Sequence, residues 1–234
     1  MKISEQRVEY LDHMGDDLSI VNAARVSFAK ESTLEVKEEF KDHGFFHELA
    51  DSCFQLSDKD AKLISYLAKH NHWSPFAHNS LSFRIKAPIF VARQLVKHQV
   101  GLVWNEVSRR YVDSEPEFYF PKVWRGKPEN AKQGSSEKVI LPDEDFHPKD
   151  CVQWSLVAYQ RMLEMGIAPE QARMVLPQNT MTEWIWTGSL MAFARVCKLR
   201  LDSHAQQETQ EVAAYIDGYC RNLFPVSWQA LMNE

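Results

Sequence analysis

The chain has 234 residues, of which 44% are hydrophobic and 25% are charged, and its formal net charge is −5. This length and composition are those of an ordinary globular chain, and we predict one domain over residues 1–234 with a sizeable core. A broad nucleic-acid surface needs a basic face, so the negative charge argues against nucleic acid as a partner. A small anionic ligand held in a local basic pocket is compatible with it.

The chain contains four cysteines, Cys53, Cys151, Cys197 and Cys220, which lie far apart and form no CxxC pair. Its first residues, MKISEQRVEY, are too polar for a secretory signal peptide. No apolar run reaches the roughly 18 residues that a membrane span needs. We therefore expect a cytoplasmic protein with reduced thiols and no membrane partner.

The first third of the chain predicts a strand and two helices. RVEYLDH alternates apolar and polar residues, as a strand does. DDLSIVNAARVSF has helical spacing, with Asp17 as the expected cap. Residues 29–56 are charged and weakly patterned, which predicts a loop with some helix. SDKDAKLISYLAKH predicts a helix that begins with a capping box at Ser57 and Asp60.

NSLSFRIK is the clearest strand, because Leu81, Phe83 and Ile85 alternate with polar residues. APIFVARQLVKHQ then predicts a helix that starts at Pro88, a residue suited to the first helical turn. The apolar stripe expected for this helix is Ile89, Ala92 and Val96. Such a helix would aim its end at the segment that follows it.

The second half alternates helices with short strands. PEFYFP predicts a strand, and residues 122–147, rich in Lys, Gly, Pro and Ser, predict a long functional or mobile loop. Helices are expected over Pro148 to Glu164, in APEQARMVLP, in SLMAFARVCK with Ser189 as cap, and in DSHAQQETQEVAAYIDGYCRNLF. TEWIWTG predicts a further strand. Few strands among more helices indicate an α+β fold.

A histidine-rich turn, HNHWSPFAH, contains His70, His72 and His78. His-x-His spacing can bind a metal ion, but no acidic residue or cysteine accompanies these histidines. We expect no metal and interpret the segment as a turn that meets a ligand or a subunit edge. A histidine-based metal hydrolase is kept as an alternative.

The segment KHQVGLVWNEVSRRY is unusually rich in hydrogen-bonding groups for a half-apolar stretch. A helix followed by a solvated turn explains each residue singly but explains the set poorly. The chain has no GxGxxG or GxxxxGK[ST] loop, so nucleotide phosphates must be held by side chains. The groups that suit a phosphorylated, polar-edged ligand are Gln94, Lys97, Glu106, Ser108 and Arg110.

Two further arginines stand in suggestive surroundings. Arg173, in QARMVLPQN, is by itself an ordinary solvated charge. Arg200, in LRLDSHAQQE, lies between Leu199 and Leu201 at the predicted start of the last long helix. An arginine flanked by apolar residues either snorkels to solvent or points at a ligand, and spacing does not separate these two interpretations.

These blocks resemble the flavin-dependent thymidylate synthases (the ThyX family) in content and in order along nearly the whole chain. The matching stretches are MGDDLSIVNAARVSF, HWSPFAHNSLSFRIKAPIFVARQ, NEVSRRY, ARMVLP and LRLDSHAQQE. The family signature is Arg-His-Arg, seven residues, then Ser. Here it is Lys97-His98-Gln99, eight residues, then Ser108, and we expect a loop at VGLVW to absorb the extra residue. The family often has an acid where Ala77 stands. From the signature we expect a looser or repositioned flavin contact rather than a lost activity, and from Ala77 the loss of one flavin contact.

The resemblance implies one α+β domain with a small, mainly antiparallel sheet packed with several helices. It implies methylation of dUMP to dTMP with carbon from methylenetetrahydrofolate and with hydride from FAD reduced by NADPH, in a homotetramer whose subunits share sites. The implied dUMP residues are Gln94, Lys97, Glu106, Val107, Ser108, Arg109, Arg110, Arg173 and Arg200. The implied FAD residues are Ser74, Lys97, His98, Gln99, Glu106, Ser189 and Arg195, with Ser27 and His204 as further candidates near the nucleotide and the folate.

The chemistry of this reaction gives Arg200 a role. Carbon C5 of uracil is a poor nucleophile, and the cysteine-dependent synthases activate it with a thiolate, yet no cysteine here has an adjacent histidine. Activation must then be electrostatic, with Arg200 stabilising charge at N3 and O4 as an oxyanion hole does. Arg173 and Arg110 would hold the phosphate. Ser108 has no neighbouring base and is interpreted as a ligand contact. The alternatives are a non-catalytic flavin- or nucleotide-binding relative and a structural oligomer without a ligand.

Overall fold

A four-stranded antiparallel sheet forms the centre of the fold in the computed structural model, which describes residues 1–40, 53–129, 134–143 and 145–233. The strands are β1 (Lys2–Ile3), β2 (Arg7–Met14), β3 (Glu35–Val36), β4 (Phe54–Gln55), β5 (Ser80–Pro88), β6 (Leu102–Glu106), β7 (Glu117–Phe118), β8 (Trp124–Arg125), β9 (Val139–Ile140) and β10 (Met181–Gly188). The central sheet has the order β2-β5-β10-β6, so β6 is an edge strand. In the described part of the chain the remaining strands form three two-stranded pairs, of which only β1 with β7 is parallel.

Helices cover this sheet and bury its apolar residues. They are α1 (Asp17–Arg25), α2 (Asp58–Lys69), α3 (Ile89–Leu95), α4 (Pro148–Glu164), α5 (Pro169–Ala172), α6 (Leu190–Arg200), α7 (Gln207–Leu223) and α8 (Pro225–Met232). The alternation of β5 places Leu81, Phe83 and Ile85 in the main core, where all three are fully buried. Phe83 meets Phe193 of α6 edge-on, with ring centroids 5.1 Å apart. The predicted α+β fold with a mainly antiparallel sheet is confirmed.

A second, smaller core lies under α4. Phe118 of β7 packs there with Val152, Leu156 and Tyr159 of α4 and with Ala172 of α5. These α4 residues are three and four positions apart and so lie on one face of the predicted helix. No described helix is both long enough and apolar enough to cross a membrane.

The cap of α1 differs from the sequence prediction. Asp16, not Asp17, is the cap, and its carboxylate accepts a hydrogen bond from the Ser19 backbone N–H at 2.7 Å. Asp17 is buried and accepts the backbone N–H groups of Val226 and Ser227 at 2.9 Å each, at the start of α8. Burial raises the pKa of Asp17, although these bonds oppose the rise. Asp17 therefore ties the first helix to the last, and α8 itself was missed by the sequence prediction.

The region around the signature also departs from the prediction. Helix α3 ends at Leu95, and its buried residues are Val91, Ala92 and Leu95 rather than Ile89, Ala92 and Val96. The expected loop at VGLVW is instead a turn at Gly101 followed by β6. Gly101 has a φ of +75°, which a residue with a side chain rarely adopts. The turn starts the edge strand that carries Glu106.

Two regions predicted as loops contain short strand pairs. Within 29–56, β3 pairs with β4, and residues 41–52 lie outside the described residues. Within the excursion 122–147, β8 pairs with β9, and residues 130–133 and 144 lie outside the described part. The rest of the described excursion has no regular secondary structure.

Candidate active site

Arg200 is held by two hydrogen bonds from its guanidinium group. Its Nε donates to His98 Nε2 at 3.0 Å, and its Nη2 donates to the backbone oxygen of Gln94 at 3.0 Å. Arg200 is the last residue of α6, which corrects the prediction that it starts the last long helix. These bonds leave both hydrogens of Nη1 and one of Nη2 for a ligand.

The bond from Arg200 sets the protonation state of His98. An imidazole nitrogen that accepts a hydrogen bond carries no proton, so the proton of neutral His98 lies on Nδ1. Burial first, and then the neighbouring Arg200 charge, lower the pKa of His98. Burial also lowers the pKa of Arg200, which still carries a permanent charge at neutral pH. The pair is therefore a neutral acceptor that orients a cation.

A cavity of about 400 Å³ opens beside this arginine, and we call it the Arg200 pocket. It is lined by Gln94, Gly134, Leu199, Arg200, Asp202, His204, Ala205 and Gln206. Gln94 Nε2 donates to Gln206 Oε1 at 2.6 Å. Gln206 was not singled out in the sequence, because nothing in its spacing separates it from the neighbouring polar residues of AQQE.

A second cavity, of about 300 Å³, lies beside Glu106, and we call it the Glu106 pocket. Glu106, Val107, Arg109 and Arg173 line it together with ten other residues. The Glu106 carboxylate accepts Thr182 Oγ1–H at 2.6 Å and Trp104 Nε1–H at 3.1 Å. Sequence patterning did not indicate either donor.

Among the described residues, the two arginines of the Glu106 pocket donate hydrogen bonds only to backbone oxygens. Arg109 Nη1 donates to the Ser114 oxygen at 2.9 Å, and Arg173 Nε donates to the Glu170 oxygen at 3.2 Å. Neither arginine forms an ion pair with another described residue. Two arginines without a carboxylate partner in one cavity suit a phosphate, whose oxygens match the fork of guanidinium donors.

Ser108 and Arg110 interact with each other. The Ser108 hydroxyl accepts hydrogen bonds from the backbone N–H and from Nε of Arg110, both at 3.3 Å. The Arg110 guanidinium lies 5.0 Å from the centre of the Tyr111 ring. No base bonds to Ser108 within the described residues, as a serine nucleophile would require.

The predicted FAD residues fall into separate places. The Ser189 backbone N–H donates to the Gly101 oxygen at 3.2 Å, which brings the turn after Gln99 against the start of α6. The Ser189 hydroxyl is partly used as the cap of α6, because it accepts the Ala192 N–H at 3.3 Å. Lys97, Gln99 and Arg195 are exposed.

Ser27 and Ser74 line a third cavity, of about 460 Å³, with Tyr66 and His72. His70 packs on Tyr66 with ring centroids 4.3 Å apart, and lies 6.5 Å from His72 by the same measure. Among the described residues, no three His, Cys, Asp or Glu side chains are grouped as a metal site would need. The geometry therefore gives the metal-hydrolase alternative no support.

A model of the thymidylate synthase complementing protein family matches residues 9–226. The chain belongs to the thymidylate synthase complementing protein family. The match spans both pockets, the Gly101 turn and the Ser27–Ser74 cavity, so every predicted site residue lies inside the family domain.

Curated relatives agree with this family assignment. A flavin-dependent thymidylate synthase of Kosmotoga olearia is 36% identical over 232 residues, which cover 97% of this chain and 90% of that protein. A flavin-dependent thymidylate synthase of Thermus thermophilus is 39% identical over 224 residues, which cover 95% of this chain and 74% of that protein.

A solved structure of the UMP/dUMP methylase PolB from Streptomyces cacaoi, bound with 5-Br dUMP, has the same fold as this family member. Its TM-score is 0.78 and its sequence is 32% identical, with 100% of this chain and 97% of that chain covered. A second PolB structure, bound with 5-Br UMP, has a TM-score of 0.74 and 29% identity.

Proposed function

We propose that this protein is a flavin-dependent thymidylate synthase that methylates dUMP to dTMP. Methylenetetrahydrofolate is the carbon donor, and NADPH reduces the flavin. The observation that carries the proposal is Arg200, whose guanidinium is oriented by His98 and Gln94 and keeps free N–H groups toward a pocket. The names of the relatives support the same reaction.

Arg200 would stabilise the charge that develops on N3 and O4 of uracil when C5 attacks the carbon donor. A preorganised cation does this without first having to reorient, which is the basis of oxyanion-type catalysis. FAD, when bound, would be the source of the hydride that completes the methyl group. The Gln94 Nε2 amide donates to Gln206 Oε1 at 2.6 Å and to the Phe90 backbone oxygen at 3.4 Å, so Gln94 would offer its Oε1 as an acceptor for an N–H group of a pyrimidine.

The cysteines offer no alternative route through a thiolate. Cys53, Cys197 and Cys220 are buried, and burial raises the pKa of both Cys197 and Cys220. Cys151 is exposed on α4, and no cysteine lines the Arg200 pocket. These four free thiols are also consistent with the cytoplasmic setting that we propose.

The residues present fit FAD by the chemistry of their donors. Lys97 and Arg195 are exposed cations that form no ion pair with another described residue, as flavin phosphates require. The Gly101 turn reaches the start of α6 closely enough that a side chain on Gly188 would meet the Gly101 oxygen at 2.7 Å. His98, Gln99 and Ser189 then lie on two adjoining segments that could hold one flat ligand.

We further propose that each active site is shared between subunits of a homotetramer. The Arg200 pocket and the Glu106 pocket share no lining residue within the described part of the chain, yet one nucleotide must meet both Arg200 and a phosphate site. Val107 of the Glu106 pocket, and Tyr111 and Met174, which neighbour lining residues in the sequence, are apolar side chains exposed in a single chain. A partner subunit would cover them and bring its own Arg200 to the neighbouring Glu106 pocket.

Activity and flavin binding test the function. The purified protein should show the absorbance of oxidised flavin, or take up added FAD, and should form dTMP from dUMP with methylenetetrahydrofolate and NADPH. UMP is assayed beside dUMP because PolB is named as a methylase of both. Nucleotide binding without flavin uptake or turnover would identify a non-catalytic relative instead, which the Lys97 and Gln99 substitutions in the signature make worth testing.

Complementation tests the shared site. Arg200→Ala and Arg173→Ala chains should each be inactive or nearly so alone. Mixed tetramers should regain activity, because one interface then carries an intact Arg200 and an intact Arg173. Mixed tetramers, shown to form by differently tagged chains, that regain no activity would contradict sharing. Light scattering gives the oligomeric state independently.

A further inference from the structure

Glu106 is exposed at the end of an edge strand, yet its carboxylate is fixed on both oxygens. Thr182 Oγ1 donates to Oε1 at 2.6 Å, and Trp104 Nε1 donates to Oε2 at 3.1 Å. A glutamate in such a position would ordinarily sample several rotamers. One donor on each oxygen restricts the carboxylate to one orientation and leaves a further lone-pair site on each oxygen.

The Trp104 donor is itself immobile. Its ring stacks on Trp184 with centroids 4.3 Å apart and an interplanar angle of 17°, and it meets Trp186 edge-on at 5.5 Å. Trp184 and Trp186 are at most 1% exposed, so this stack is anchored in the main core. Trp104 and Glu106 are two residues apart on β6 and project from the same face.

The Thr182 donor comes from the neighbouring strand. In the β10–β6 register Trp184 lies opposite Glu106, so Thr182, two residues earlier, lies diagonally across from the carboxylate. β10 is held on both sides, by β5 and by β6, and a β-branched side chain has few rotamers. Both donors therefore belong to rigid parts of the sheet.

The fixed Glu106 carboxylate faces a cavity whose arginines indicate a ligand-binding site. Glu106 lines the same cavity as Arg109 and Arg173, which have no carboxylate partner among the described residues. An ionised carboxylate only accepts hydrogen bonds, so its remaining lone pairs suit an N–H or O–H group of a ligand whose phosphate binds the arginines. Exposed hydrogen bonds of this kind add little to folding stability, which favours a role in binding.

We propose that Thr182 and Trp104 are positioning residues that aim Glu106 at a hydrogen-bond donor of the bound nucleotide. This inference rests on the proposed function for the identity of the ligand, dUMP. It assigns roles to two residues that touch the carboxylate and not the reacting atoms.

The decisive variant is Thr182→Val, which keeps the shape of the side chain and removes the hydroxyl. It should weaken dUMP binding about tenfold, because dUMP must then order a Glu106 side chain that the hydrogen bond from Thr182 had already ordered in the free protein. Thr182→Ser should restore binding to near the parental value. Trp104→Phe, which retains an aromatic ring for stacking and loses the N–H, should weaken dUMP binding in the same direction.

Thr187→Val is the matched control. Thr187 also lies on β10, and its hydroxyl shares a 2.8 Å hydrogen bond with the Ser82 hydroxyl, but it is an odd number of residues from Thr182 and projects from the other face. It should leave the dissociation constant of dUMP unchanged. Equal weakening by Thr187→Val and Thr182→Val would overturn the proposal, since it would indicate a general effect on the sheet.

A double-mutant cycle separates positioning from a structural role. Because Thr182 acts through the carboxylate, Thr182→Val should have no further effect on dUMP binding in a Glu106→Ala background. Additive losses would overturn the proposal. Melting temperatures of all variants are measured alongside and should not follow the changes in binding.

A crystal structure of the Thr182→Val protein distinguishes failure of this inference from failure of the proposed function. If the parent binds no dUMP, the proposed function fails, but the Glu106 carboxylate should still be ordered in the parent and displaced or disordered in Thr182→Val. An unchanged, ordered carboxylate in Thr182→Val would overturn the positioning role whatever the ligand.

Discussion

The protonation state of His98 should control the reaction through Arg200. His98 Nε2 accepts the Arg200 Nε–H at 3.0 Å, and a protonated imidazole has no lone pair for that bond. Burial and the Arg200 charge lower the pKa of His98 below its ordinary value of 6.5. At neutral pH the bond is therefore intact, and it is lost as the pH falls through the lowered pKa.

Two substitutions of His98 distinguish the loss of its hydrogen-bond acceptor from the loss of its ability to take up a proton. His98→Ala removes the acceptor of the Arg200 hydrogen bond. A hydrogen bond to a charged group contributes ~1.5–3 kcal/mol, and we use the lower figure because His98 is half-buried. That corresponds to a loss of roughly tenfold in rate. His98→Gln places an amide oxygen near the position of Nε2 and does not titrate, so it should retain more activity than His98→Ala.

Single-turnover formation of dTMP is the assay, with dUMP and chemically reduced FAD both saturating, because His98 is also a candidate flavin contact. The parent rate should fall on the acid side, below pH 6.5, and the His98→Gln rate should lack that fall. Folding stability should depend on pH in the same direction as the rate. Folding lowers the His98 pKa, so between the two pKa values the unfolded chain binds a proton that the folded chain does not. Stability is therefore lost as the pH falls from 6.5 through the folded pKa. An identical acid limb in His98→Gln and the parent would refute the reasoning.

Two other predictions concern the cysteines and the first helix. Replacing all four cysteines with serine or alanine should leave dTMP formation near the parental rate, since no thiol lines the Arg200 pocket; loss of turnover with flavin binding retained would contradict this. Asp17→Ala should lower the free energy of unfolding in urea by about 2 kcal/mol, because two backbone N–H groups at the start of α8 lose their acceptor. The exposed Asp12→Ala control should change it by less than about 0.5 kcal/mol, and equal effects of the two would count against the role of Asp17.

Short-range sequence patterns correctly predicted those helices and strands that depend on residues close together in the sequence. The alternation in NSLSFRIK identified β5, and Ser57 and Ser189 cap the helices that they were expected to cap. The position of Arg200 could not be obtained in this way. Asp202 resembles the start of a helix, but it forms a turn in which the Ala205 N–H bonds to its backbone oxygen at 2.9 Å, so α6 ends at Arg200 and α7 begins after Gln206.

The geometry of the candidate site depends on contacts that no spacing reveals. The bond between Arg200 and His98 joins residues 102 positions apart, and the bond between Thr182 and Glu106 joins residues 76 positions apart. The resemblance to the ThyX family identified Arg200, His98 and Glu106 as site residues. The residues that orient or adjoin them, Trp104, Thr182 and Gln206, became visible only when the sheet and helices brought them together.

Single-turnover dTMP formation by Arg200→Ala and Ser108→Ala, at saturating dUMP, tests the central claim most directly. Loss of a preorganised donor costs ~3–4 kcal/mol of transition-state stabilisation, so Arg200→Ala should be slowed roughly a hundred- to a thousand-fold. Reduction of the flavin by NADPH should largely survive in that variant. Ser108→Ala should bind dUMP more weakly and still turn over, because its hydroxyl bonds to Arg110 and to no base among the described residues. Parental turnover by Arg200→Ala together with a dead Ser108→Ala would contradict electrostatic activation by Arg200 and would point to a serine nucleophile.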